Sequence, residues 1–103
     1  MMIRHIVLWK FKQEADGKTK RENLQLVKEI IEGLPSKIPE IRQLEVGMNI
    51  TADSAAYDLA LISTFDDESA LARYQAHPEH KKLVEALRKV RESRVVADFV
   101  VAP

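Results

Sequence analysis

Strands that are apolar on both faces constrain this chain most. Residues 2–11 place Ile3, Val7, Trp9 and Phe11 on one face of an extended segment and Ile6 and Leu8 on the other, which predicts a strand buried on both sides. Residues 56–65 repeat the pattern, with Tyr57, Leu59, Leu61 and Phe65 opposed to Ala60 and Ile62. The closing run RVVADFVV, residues 94–101, is also apolar on both faces. By contrast, residues 41–50 alternate Leu44, Val46, Met48 and Ile50 with Gln43, Glu45, Gly47 and Asn49. That period of two leaves one face wet and belongs at a sheet edge.

Helical patterns fill the intervals. Thr19 is a suitable N-cap for a helix in which Leu24, Val27, Ile30, Ile31 and Leu34 recur at helical spacing, with Gly33 and Pro35 ending it. After the turn-rich TADSA, Asp66 or Asp67 caps a second helix through Leu71 and Tyr74 to His77. Pro78 interrupts that helix and starts another reaching about Glu92. The order strand, helix, strand, strand, helix, strand predicts an α+β protein, a single domain over residues 1–103, with a ferredoxin-like βαββαβ fold and one four-stranded antiparallel sheet. Right-handed crossovers put both helical segments on the same face of that sheet. Its other face, apolar on three strands, then exposes more than a soluble monomer tolerates, so a homodimer packed sheet against sheet is expected.

Charge and composition remove other classes. Sixteen Lys and Arg offset sixteen Asp and Glu, so no excess charge gathers nucleic acid or an anionic membrane. With no cysteine, disulfides, thiol nucleophiles and thiolate metal sites are all ruled out. No run approaches the ~18 apolar residues of a membrane helix, and the opening apolar stretch is too short for a signal-peptide core; a soluble cytoplasmic protein is expected. The sequence carries no Gly-rich phosphate loop, acylase-type Ser motif, HExxH or carboxylate cluster with ligand spacing. Neither a metal nor a cofactor is expected.

The chemistry then rests on three histidines and a tyrosine. His77 precedes Pro78, so its backbone is driven to the extended conformation of an N-cap, and its role is helix punctuation. His80 lies one turn inside the following helix and shares a stripe with Leu83, Val84 and Leu87, which turns its imidazole inward. Desolvation and the positive helix end favour a neutral imidazole, the form a general base needs. Tyr74 is six residues earlier, on another face of any continuous helix; a bend at His77 and Pro78 can bring the phenol to the same pocket. His5, inside the first strand, is a third polar group for that pocket. Each also reads simply as a core residue with a satisfied polar tip.

The segments IRHIVLWKFK, IPEIRQLEVGMNI, YQAHPEHKKLVEAL and VVADFVV resemble the stress-responsive dimeric α/β-barrel (Dabb) family, and within it the olivetolic acid cyclase-like proteins of plants, in a likeness that runs over nearly the whole chain from Met2 to Val101. The resemblance implies a ferredoxin-like subunit that pairs into a barrel-like homodimer. It also implies closure of a linear polyketide by aldol condensation without metal or cofactor, with a Tyr and a His matching Tyr74 and His80 and a strand His matching His5. Three functions stay open: such acid/base chemistry on a small, mostly apolar carbonyl ligand, a non-enzymatic stress-associated structural or interaction dimer, and a cofactor-free monooxygenase-like protein.

Overall fold

The computed structural model describes residues 1–102 and centres on β1, Ile3–Phe11. A short hairpin follows, β2 at Glu14–Ala15 and β3 at Lys18–Thr19. Asp16 and Gly17 both take positive φ at its turn, the backbone an Asp-Gly pair supplies most readily in a two-residue hairpin loop. Helix α1, Lys20–Gly33, starts on a reciprocal capping box: the Thr19 side chain accepts from the Glu22 N–H and the Glu22 carboxylate accepts from the Thr19 N–H. A short 3₁₀ turn, Leu34–Ser36, carries Pro35. Then come β4, Gln43–Met48, and β5, Leu59–Phe65. Asp67 caps α2, Glu68–Ala76, and α3, Pro78–Val90, runs directly into β6, Arg91–Val100.

The four long strands form one antiparallel sheet in the order β4-β5-β1-β6, which is the ferredoxin-like arrangement with the half-wet strand at an edge. Alternate residues of β1 (Ile3, Val7, Trp9 and Phe11) turn to the helices and join Leu59, Leu61 and Phe65 of β5 in the core. Val27, Ile31, Leu71, Tyr74, Leu83 and Leu87 close it from the helical side. No helix among the described residues is long and apolar enough to cross a membrane.

Several expectations are corrected. Ile30 is 40% exposed rather than part of the buried stripe of α1, because Val27 and Ile31 already fill that contact. Tyr57 precedes β5 instead of lying within it and is only half-buried, beneath the Lys10 ammonium. Helix α3 ends at Val90, not Glu92, and the last strand begins at Arg91, not residue 94. The Lys12 N–H donates to the Val90 carbonyl, so pairing with the end of β1 captures residues whose own propensity is helical. On β6 the free face shows the exposure expected of a lone subunit, and the helix side of this edge strand is open as well. Val95 and Phe99 are exposed on the helix-free face, where Ile62 of β5 lies too, and Val96 and Val100 are exposed on the other.

Candidate functional site

The β1 strand sets His5 on the helix-facing side, opposite Ser63 of β5 and Asp98 of β6. His5 is buried, and its Nδ1 is paired with the Asp98 carboxylate. Tyr74 comes from the last turn of α2. His77 then ends α2 and begins α3 in an extended conformation, φ −67° and ψ 138°, and its Nδ1 accepts from the Glu79 N–H. His77 is thus the helix punctuation its place before Pro78 implies, with that nitrogen already engaged.

The bend reorients the helix axis so that the Tyr74 and His80 rings sit 4.5 Å apart, centroid to centroid. His5 is 6.2 Å from Tyr74, and Phe65 backs the phenol at 4.8 Å. His5, Tyr74 and His80 all line one cavity of about 180 Å³ between the sheet and α3, with Trp9, Leu61, Leu83 and Leu87 as apolar wall. At ~30 Å³ per liquid water, this is room for roughly six waters or one small organic body.

Burial acts on two of these polar groups. His80 is half-buried and its Nδ1 lies 3.2 Å from the Gln75 carbonyl oxygen, so Nδ1–H donates there. That contact places a hydrogen on Nδ1, so in the neutral ring the free lone pair is on Nε2. Burial holds the His80 pKa below the ordinary histidine value; the Gln75 carbonyl opposes this, and the neighbouring charges of His5 and Arg94 add to it. Burial pushes the Tyr74 phenol up to about 12, so at neutral pH it keeps its proton and acts as a hydrogen-bond donor. A neutral acceptor and a neutral donor facing one small cavity can hold a carbonyl oxygen while removing a proton nearby.

The three site residues read from the sequence therefore meet in one cavity. Two features were not legible there. Asp98 becomes a partner of His5 only through the β1–β6 register, across 93 residues of chain. Arg88, Arg91 and Arg94 also line the cavity, although helical and strand spacing give no sign that they share a face. Among the described residues no group of three or more His, Cys, Asp or Glu is placed to hold a metal ion.

Comparison with known proteins agrees with this architecture. Residues 3–101 match the family described as the stress-responsive A/B barrel domain, Dabb. An uncharacterized protein of Streptomyces coelicolor is 38% identical over 98 residues, covering 95% of this chain and 98% of its own. A dimeric protein of unknown function and ferredoxin-like fold from Bacteroides fragilis superimposes with a TM-score of 0.84 at 37% identity, over 95% of this chain and 94% of that one. A hydroxynitrile lyase from Passiflora edulis shares the fold, with a TM-score of 0.83 at 18% identity over 98% and 94% of the two chains.

Proposed function

Since this chain belongs to the stress-responsive A/B barrel domain family, we propose that it is a homodimer, packed sheet to sheet, whose subunits each bind a small carbonyl compound and move a proton on it. The observation that carries this reading is the approach of Tyr74 and His80 to 4.5 Å around the cavity. The Tyr74 hydroxyl donates a hydrogen bond to the carbonyl oxygen, and His80 Nε2 takes a proton from the adjacent carbon. The electron pair of the broken C–H bond moves onto the carbonyl oxygen as an enolate, where the Tyr74 donor stabilises it. His5, oriented by Asp98, is a third polar contact for the ligand. An enolate formed this way can attack a second carbonyl of the same molecule, the step an aldol cyclase needs. For the dimer, the support is the apolar residues left on the helix-free face and the dimeric relative from Bacteroides fragilis.

The test is deuterium uptake from heavy water at carbons next to the carbonyl of small ketones, followed by NMR on wild type, Tyr74→Phe and His80→Ala. We expect uptake to fall about 10²-fold or more in His80→Ala, in line with the usual contribution of a general base, with the dimer mass unchanged in native mass spectrometry. Equal uptake in all three proteins overturns the assignment of His80. In that case a loss of stability alone in His80→Ala identifies the histidine as a core residue of a non-enzymatic dimer.

A further inference from the structure

Nearly every polar side chain around the cavity is a donor, and most of the charge there is positive. Arg88 comes from the last turns of α3, and Arg91 and Arg94 from the start of β6. In an unbroken strand, residues three apart point to opposite faces. Here the β1–β6 register shifts: Trp9 pairs with Arg94 and Lys10 with Ser93, but Phe11 pairs with Arg91, leaving Glu92 over. This one-residue bulge puts both arginines on the cavity side, opposite buried Trp9 and Phe11, and sends Glu92 out of register. Bulges beside functional sites re-aim side chains in this way.

Arg88 is paired with Glu85 at 2.7 Å, both exposed. Arg91 and Arg94 have no carboxylate within 4.0 Å among the described residues. No Asp or Glu lines the cavity, and Asp98, beside His5 on the neighbouring strand, is taken up by the imidazole. Arg91 is half-buried and Arg94 exposed, so these guanidiniums stand at the solvent end of the cavity, with Tyr74 and His5 buried at the other. Trp9, also in the wall, has a buried indole N–H without a hydrogen-bond partner, a donor-only group that a ligand oxygen satisfies.

We propose that the cavity selects an oxo acid: a small carbonyl compound whose carboxylate is gripped at the mouth by Arg91 and Arg94 while its carbonyl reaches Tyr74 and His80. This rests on the carbonyl-binding reading above and adds the charged end of the ligand. A planar guanidinium fork matches a carboxylate bidentately, and two unpaired forks at the rim of a partly dry cavity favour that anion over its neutral ester. Arg88, already engaged with Glu85, contributes less.

Trp9 is the single tryptophan of the chain, so its indole N–H resonance in a ¹⁵N-correlated NMR spectrum reports the cavity alone. The probes are 4-oxopentanoate and its methyl ester, which share the ketone and differ in charge, titrated into the intact wild-type protein. We expect the acid to bind about ten-fold or more tightly than the ester, a difference within the range of one charge-assisted hydrogen bond. The double variant Arg91→Gln/Arg94→Gln should bring the acid to the affinity of the ester and leave the ester unchanged. Tyr74→Phe should weaken both. Equal affinities of acid and ester in wild type overturn the oxo-acid assignment and leave the carbonyl pocket standing, without depending on how any variant folds. A resonance moved by neither probe up to their solubility overturns both readings. Inorganic phosphate that displaces the acid at equal concentration shows a general oxyanion site and also overturns the carboxylate assignment.

Discussion

At the scale of single residues, the site depends on two pKa shifts of opposite direction with one cause. Burial holds the Tyr74 phenol protonated and the His80 imidazole neutral. For Tyr74 the folded value is the higher one, so its contribution to stability is present at neutral pH and is lost as pH rises from about 10 towards about 12. In an alkaline titration followed by ultraviolet absorbance, the component missing from Tyr74→Phe is expected to centre near about 12. For His80 the folded value is the lower one. The unfolded chain then binds its proton first as pH falls below about 6.5, and folding stability drops across that window. His80→Ala should flatten this slope in urea unfolding measured across the same window; an unchanged slope would show that His80 is not desolvated in solution. The inward placement of His80 was legible from its position on an apolar stripe. Its tautomer was not, because the Gln75 carbonyl that assigns it is reached only across the bend.

Element by element, local chemistry predicts where helices start better than where they stop. Thr19, Asp67 and His77 cap α1, α2 and α3 as their side chains and spacing imply. Thr19→Ala, which loses the acceptor for the Glu22 N–H, is expected to cost about 1 kcal/mol in urea unfolding with an unchanged dependence on denaturant. A loss close to zero would mean that the β2–β3 hairpin, not the cap, fixes the start of α1. The end of α3 escaped sequence reasoning because residues 88–92, RKVRE, are good helix formers. Only the sheet edge offered by β1 turns Arg91 and Glu92 into strand. The β2–β3 hairpin did have a readable signal, the Asp16-Gly17 pair.

For the whole molecule, the decisive feature is a sheet covered by helices on one face only. Ile62, Val95 and Phe99 are 41%, 43% and 45% exposed on the free face, and charges placed among them would be buried without partners in a sheet-to-sheet dimer. Phe99→Lys with Ile62→Lys is therefore expected to give monomers in native mass spectrometry, with far-ultraviolet circular dichroism retained. A dimer that survives both substitutions would place the interface elsewhere, with strand β6 as the next surface to examine.

The sequence by itself determined the order of the long strands and helices, the edge position of the half-wet strand, the helix caps and the inward stripe that carries His80. These are local matters, written in periodicities of two and 3.6 and in the chemistry of a few capping residues. Tertiary structure alone decided which distant groups meet. The β1–β6 register pairs His5 with Asp98, and its one-residue shift turns Arg91 and Arg94 to the same side. Strand register is set by hydrogen bonding and packing between segments far apart in the chain. No pattern within either strand reveals it, so the cavity's charge could be read only once the sheet was in view.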